Sequence, residues 1–279
     1  VCVPELPEVE TQCRDLIRKG VPGSRIVDAS VFWERTLGGI STEKFRTTVR
    51  NCEITRIFRR GKYLCFELTN DLHLLIHLRM SGSIILRENL YPPDVHDRVI
   101  FHLESSDLVF HDPRKFGRVF LTSKPQEILG RLGAEPLDQK LTPGIFHTLL
   151  ITRKRMLKPL LLDQSFIAGL GNIYVDESLF AAQLHPMRRS DTLTAAETKP
   201  LLLSIRQILL NSIENRGTSL GSGDANFSSG GLYGLNAASL QVFQRAGKTC
   251  SRCGGLIERI IVGQRATHFC PGCQLIQEI

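Results

Sequence analysis

The run Lys158-Pro-Leu-Leu-Leu-Asp-Gln-Ser-Phe-Ile-Ala-Gly-Leu-Gly-Asn-Ile-Tyr-Val-Asp-Glu177 reads as two short helices packed back to back. Its pattern predicts one helix over Leu157 to Asp163 and a second over Asn172 to Ala182. The turn Ala168-Gly169-Leu170-Gly171 joins them, and its glycines let the two helices approach closely. Asn172 is placed to cap the second helix, whose first N–H groups then form a natural phosphate site. Upstream, Thr142-Pro143 opens a helix running to about Arg153, with proline in its first turn. Downstream, Thr194-Ala-Ala-Glu197 has the form of a capping box, and Gly217 ends the helix it starts.

Before this helical region, which begins near Leu137, the pattern differs. Glu5 to Lys19 predicts a helix, with Val9, Cys13, Leu16 and Ile17 three to four residues apart. Eight short strands rich in Val, Ile, Leu and Phe follow: 25–32, 54–59, 63–68, 72–78, 83–86, 98–103, 108–111 and 119–121. Gly61, Asn70-Asp71, Pro92-Pro93 and Ser105-Ser106 separate some of them, and that spacing predicts a sandwich of antiparallel sheets. After the helical region, Ser219 to Gly234 lacks periodicity and is rich in Gly and Ser, so a long functional or mobile loop is expected.

The chain ends in Cys250-x2-Cys253, sixteen residues, and Cys270-x2-Cys273. Four thiolates close a tetrahedral shell around Zn2+, and the spacer fits a ribbon hairpin, so one structural zinc per chain is expected. Cys2, Cys13, Cys52 and Cys65 are scattered and read as free thiols. Arg265 follows Gly263-Gln264, a turn that would present a guanidinium to a phosphate or simply to solvent.

The net charge of +7 suits a polyanionic partner, because each cation that neutralises a phosphate releases counterions. Apolar runs such as Leu72 to Leu78 are broken by His73 and His77, far short of the roughly eighteen residues of a membrane span. The first residues lack the basic and apolar regions of a secretory signal. A cytoplasmic monomer with no membrane partner is therefore expected.

Beside these features the chain opens with Pro4-Glu5-Leu6-Pro7-Glu8-Val9-Glu10. That opening, the Lys158–Glu177 run and the paired cysteines together resemble the formamidopyrimidine-DNA glycosylase family. Gly61-Lys62-Tyr63-Leu64 resembles the family's lysine turn. His77-Leu78-Arg79-Met80-Ser81-Gly82 and Asp112-Pro113-Arg114-Lys115-Phe116-Gly117 resemble its two duplex-probing loops. Leu6 and the Lys158–Glu177 run favour this branch over the related endonuclease VIII branch.

The resemblance implies an α+β protein in three parts. These are a catalytic β-sandwich with an N-terminal helix (1–137), a helix-two-turn-helix domain with a lesion-capping loop (138–238) and a zinc ribbon (239–279). It implies excision of oxidised purines from damaged double-stranded DNA, followed by cleavage of the abasic strand. Pro4 would be the nucleophile, Glu5 the acid handling protons at the sugar, and Lys62 and Arg265 the residues assisting the two eliminations. Glu8 would orient the N-terminus. Met80 and Phe116 would be wedges, and Arg114 would pair with the widowed cytosine. His96, Arg153, Lys158 and Asn172 would grip the DNA backbone, and the Ser219–Gly234 loop would close over the flipped base.

A secondary α-amine suits this chemistry. It forms a cationic iminium on attacking a sugar carbon, and its pKa near about 8 leaves it partly neutral, unlike a lysine at about 10.4. A proline inside a peptide bond has no such lone pair, and Val1-Cys2-Val3 precede Pro4 here. The expectation is that the working chain begins at Pro4. Two other readings stay open: an endonuclease VIII-like pyrimidine glycosylase, and a catalytically inactive damage binder if the chain keeps Val1.

Overall fold

The computed structural model describes residues 4–220, 228–229 and 232–276. Val1 to Val3, on which the expectation of a start at Pro4 rests, lie outside the described residues, as do 221–227 and 230–231 of the expected loop. The chain divides into two compact units, Val1–Arg131 with Ile213–Ala237 and Leu132–Ser212 with Ala238–Ile279.

In the first unit, helix α1 (Leu6–Arg18) buries Leu6, Val9, Cys13 and Leu16 along one face. Gly20, at φ +75°, takes the left-handed turn that stops it. Strand β1 (Ile26–Val31), helix α2 (Thr42–Val49) and strands β2 (Ile54–Arg60), β3 (Tyr63–Leu68) and β4 (His73–His77) follow. Next come β5 (Ser83–Glu88), β6 (Asp97–Leu103), β7 (Ser106–His111) and β8 (Arg118–Thr122). All eight expected strands are present. They form two antiparallel four-stranded sheets, ordered β1-β6-β7-β5 and β2-β3-β4-β8. Side chains from both, including Leu64, Phe66, Leu74, Ile76, Val99, Phe101, Leu108 and Phe110, share one buried core. Cys13, Cys52 and Cys65 are free and buried, and burial pushes the Cys13 thiol up to about 12.

Helix α2 stands where only strand-like sequence was expected. Ser41 Oγ accepts the Lys44 N–H at 3.4 Å and caps it, while Phe45 and Val49, four apart, are fully buried. Tertiary burial outweighs the poor helix propensity of its Thr and Val residues. The Phe45 ring lies 6.0 Å from that of Phe101.

Strand register places the turns. Tyr63, His77 and Arg118 are neighbours across β3, β4 and β8. Ser83, His111 and Asp97 are neighbours across β5, β7 and β6. The chain therefore enters or leaves both sheets at one end through Lys62, through 78–82, through His96 and through 112–117.

Residues 213–237 return to this unit, unlike the expected division at 138 and 239. Glu8 Oε1 accepts the Thr218 N–H at 2.8 Å. Arg216 pairs with Asp15 at 2.6 Å, and Ser229 Oγ donates to the same carboxylate at 2.5 Å. The strand pair β9 (Ser228–Ser229) and β10 (Leu232–Tyr233) belongs to this segment.

The second unit holds α4 (Pro143–Ile151), α5 (Leu157–Leu162), α6 (Asn172–Ala181) and most of α7 (Ala195–Glu214), after the short α3 (Gln126–Leu129) of the first. Thr142 caps α4 with Oγ1 on the Ile145 N–H. At α7 the Thr194 N–H donates to Glu197 Oε2 at 2.9 Å, one half of the expected capping box. The hairpin of β11 (Glu258–Val262) and β12 (Arg265–Phe269) packs its Ile257 with Phe180 and Val242, so the ribbon shares a core with the helices instead of standing alone. Among the described residues no helix is long and apolar enough to cross a membrane.

Emptying the Phe45 site should test the sandwich core. Phe45→Ala should lower unfolding stability by about 3–5 kcal/mol, read as a lower urea midpoint at unchanged m-value.

Candidate active site

Pro4 and Glu5 are buried at the start of α1. The Glu5 N–H donates to Glu8 Oε2 at 2.9 Å, while Glu8 Oε1 holds Thr218. Glu8 is fully buried, so its carboxylate is spent on backbone donors that fix how the N-terminal residues enter the helix. Further along, Glu10 pairs with Arg59 at 3.0 Å, and Arg59 donates to the Gly61 carbonyl at 3.1 Å. Gly61, at φ +55°, makes the tight β2–β3 turn that carries Lys62. One arginine thus ties the helix bearing Glu5 to the turn bearing Lys62.

The two segments expected to probe the duplex emerge beside that turn. Arg79 has φ +57° and Lys115 φ +60°, so each segment bends sharply next to a residue singled out from sequence. His77 Nδ1 accepts the Arg79 N–H at 3.0 Å. Burial, with help from the nearby Arg79 and Lys62 charges, pushes the His77 imidazole down to about 3. Met80 is half-buried, while Arg114 and Phe116 are exposed. The Arg114 guanidinium lies 5.1 Å from the centroid of the Phe116 ring. His96 is half-buried and meets His111 edge-on at 5.7 Å. Asp97 fixes that His111 ring through Nδ1 at 2.9 Å.

In the second unit the four expected cysteines converge. Their sulfurs all lie within 4.8 Å of one another, with Cys250–Cys273 at 3.8 Å and Cys253–Cys270 at 3.4 Å. A tetrahedron with Zn–S bonds of about 2.3 Å has sulfur edges of about 3.8 Å, whereas a disulfide needs about 2.05 Å. The set fits one structural zinc, with no ligand position left for chemistry.

Arg265 is exposed directly after the two-residue turn Gly263-Gln264, both at positive φ. Asn172 Nδ2 donates to the Ala266 carbonyl at 3.0 Å, so Asn172 and the Arg265 turn sit together. Asn172 does not cap its helix, however: Gly171 is the cap residue, and the amide side chain is engaged by the ribbon. Arg153 is exposed past the end of α4.

Lys158 requires a correction. It is fully buried, with Nζ donating to Asp176 Oδ1 at 2.6 Å and to the Ala266 carbonyl at 2.8 Å. It therefore offers no ammonium to a phosphate and serves as an internal tie. Asp176 Oδ2 also accepts the His268 N–H at 2.9 Å. Glu177 beside it accepts three backbone N–H groups, from Gln241, Val242 and Phe243, while burial pushes its carboxyl up. Sequence reasoning missed Asp176, Glu177 and Asp112 as functional supports. Their one signal was position: each is an acid inside an otherwise apolar or glycine-containing run.

Two outcomes follow. Metal analysis should return one zinc per chain, and its chelation should weaken duplex binding while the β-sheet circular dichroism persists. The His77 resonance should show no titration between pH 8 and pH 5. The folded pKa lies below the ordinary 6.5, so the unfolded chain takes up this proton first. Stability from this site is thus full above about pH 6.5 and falls as pH drops toward about 3.

Comparison with known proteins places these features. The formamidopyrimidine-DNA glycosylase N-terminal domain matches residues 3–119, and the H2TH domain of the same enzymes matches 132–223. A zinc finger found in FPG and IleRS matches 247–276. A formamidopyrimidine-DNA glycosylase of Protochlamydia amoebophila is 44% identical over 274 residues, covering 98% of this chain and 99% of that one. A Lactococcus lactis FPG mutant in complex with Fapy-dG-containing DNA superposes with a TM-score of 0.89 at 36% identity, covering 98% of this chain and all of that one. The L. lactis Fpg complex with abasic-site DNA gives a TM-score of 0.88 at the same identity and coverage. With the sandwich, the helical pair and the four-cysteine ribbon all matched in order, the chain belongs to the formamidopyrimidine-DNA glycosylase family.

Proposed function

We propose that this chain excises oxidised purines, 8-oxoguanine and formamidopyrimidines, from duplex DNA and then cuts the abasic strand, with the Pro4 amine as nucleophile. The observation that carries the reading is the shared sheet end. Lys62, Met80, His96, Arg114 and Phe116 all leave the sandwich there, and Arg59 ties α1, with Pro4 and Glu5 at its start, to the Lys62 turn. The family relatives solved with Fapy-dG and abasic-site DNA support the substrate class.

The target base is inaccessible in the stack and has to be flipped out. Met80 and Phe116 fill the space it vacates, and Arg114 donates to the unpaired base left behind. The neutral Pro4 nitrogen then bonds to C1′, the glycosidic bond breaks with its electron pair leaving on the base, and the proton that the alkylated nitrogen sheds goes to that base, so the nitrogen regains its lone pair. Glu5 supplies a proton to the ring oxygen as the C1′–O4′ bond opens, leaving an iminium at C1′. The cation withdraws electrons, so the C2′ proton becomes removable and the 3′ phosphate departs; Lys62 assists that step. Arg265 holds phosphate for the second elimination, which releases the 5′ phosphate. His96, Arg153 and Asn172 contact backbone. The zinc fixes the ribbon that presents Arg265.

Borohydride trapping tests the nucleophile. A chain whose first residue is Pro4 should form a covalent complex with abasic-site DNA, and a chain retaining Val1-Cys2-Val3 should form almost none. Equal trapping, with intact mass showing the three residues retained, removes Pro4 from the mechanism and turns attention to Lys62. Release of oxidised pyrimidines in place of purines would favour the endonuclease VIII-like reading. Damage binding without trapping from either chain would favour an inactive binder.

A further inference from the structure

The three side chains assigned to enter the duplex stand on two separate connections. Met80 is in the segment between β4 and β5, and Arg114 and Phe116 are in the segment between β7 and β8. Displacing a stacked base costs a few kcal/mol, so a wedge on a soft loop would yield before the base did.

One carboxylate joins the two segments. Asp112 is fully buried. Its Oδ1 accepts the Ser81 hydroxyl at 2.5 Å, and its Oδ2 accepts the Gly117 N–H at 2.7 Å. Ser81 Oγ in turn accepts the Arg114 N–H at 3.3 Å, so this hydroxyl is used in both directions. The Asp112 carbonyl accepts Arg98 Nε at 2.8 Å, and the Asp112 N–H donates to the His96 carbonyl at 2.9 Å. The same node thus reaches the strand start that carries His96.

Packing reinforces the link. Gly82 and Gly117 close the two segments against the same outer edge of the buried Phe110 ring. A Cβ at Gly82 would stand 2.9 Å from that ring, and one at Gly117 would stand 2.3 Å from it. Both segments therefore pack their backbones directly on one ring.

We propose that Asp112 is the positioning residue that couples the two probing segments, with Ser81 as its bridge, so that Met80, Arg114 and Phe116 enter the duplex as one rigid unit. The proposal rests on the wedge assignment made above. An amide at position 112 would turn an NH2 group toward one of two donors, and alanine at position 81 would cut the bridge to Arg114.

The test is single-turnover excision by the full-length chain, with Ser81→Ala, Ser81→Thr and Asp112→Asn beside Met80→Ala and Phe116→Ala. The first substrate carries 8-oxoguanine opposite cytosine. The second carries it opposite a tetrahydrofuran abasic site, where no partner base holds it. Ser81→Ala and Asp112→Asn should bind undamaged duplex within about twofold of the parent, because phosphate contacts supply that term. On the paired lesion they should lose roughly ten- to a hundredfold in rate, the scale of a buried hydrogen bond left unmet. On the unpaired lesion they should recover most of that loss, and Ser81→Thr, which keeps the hydroxyl, should excise like the parent on both.

Equal losses on the two substrates would mark a general structural defect and overturn the proposal. So would parent-like excision of the paired lesion by Ser81→Ala and Asp112→Asn while Met80→Ala and Phe116→Ala fail. Parent-like excision by Met80→Ala and Phe116→Ala would instead remove the wedge assignment itself.

Discussion

Strand register governs this molecule's working end. Tyr63, His77 and Arg118 lie side by side in one sheet, and Ser83, His111 and Asp97 in the other. Side chains alternate between faces along a strand, so a slip of one residue would turn Leu64, Leu74 and Phe110 out of the core and carry the adjoining turns with them. Both probing segments pass from one sheet to the other. Their geometry is therefore set by two registers at once, and the Phe110 ring beneath Gly82 and Gly117 leaves little slack. Placement of Met80 and Phe116 is a consequence of how the sandwich pairs and packs.

Buried charge does the corresponding work in the second unit. Removing Lys158 and Asp176 from water is costly, and the attraction between them repays it only when the remaining donors and acceptors are satisfied. Here they are shared out: Asp176 also takes the His268 N–H, and Lys158 also takes the Ala266 carbonyl. Each of these bonds joins the α5–α6 pair to the ribbon hairpin. The Ala266 carbonyl additionally receives Asn172, so a single backbone atom fixes the helix start and the turn that carries Arg265. Zinc closes the far end of the same ribbon. The polar core costs stability that an apolar one would not, and in return it sets the position of an exposed guanidinium.

The regular parts of the fold were legible because their signals are local. All eight strands of the sandwich follow from short runs rich in Val, Ile, Leu and Phe, and the helix limits at Thr142 and Thr194 follow from cap chemistry. Helix α2 was missed because Thr47, Thr48 and Val49 favour strands. The contrary signals, a Ser41 cap and a Phe45–Val49 pair, are weaker than the strand pattern on either side. The expected boundaries at 138 and 239 differ from the limits of the compact units for a different reason. The return of 213–237 depends on Glu8 and Asp15 reaching residues some two hundred positions away, which no window along the chain contains. Lys158 misled in the same way: a lysine at a helix start reads as surface until Asp176 and Ala266 are seen to enclose it. The four cysteines were fully legible, since metal ligation needs only spacing.

Affinity and discrimination rest on different parts of the chain. In the proposed mechanism the exposed cations Arg153 and Arg265 would meet phosphates, and that term is blind to sequence and damage and weakens with salt. It brings the protein to any duplex without identifying a lesion. Identification requires a cost that damaged and intact pairs bear unequally, and opening the base stack supplies one, because a weakened pair opens more cheaply. Only a stiff probe reads that difference, since a compliant one relaxes around intact and damaged pairs alike. The glycines on Phe110 and the carboxylate of Asp112 tie down segments that would otherwise be ordinary surface turns. A basic protein of net charge +7 can thus hold DNA loosely by many contacts while testing it sharply at one place.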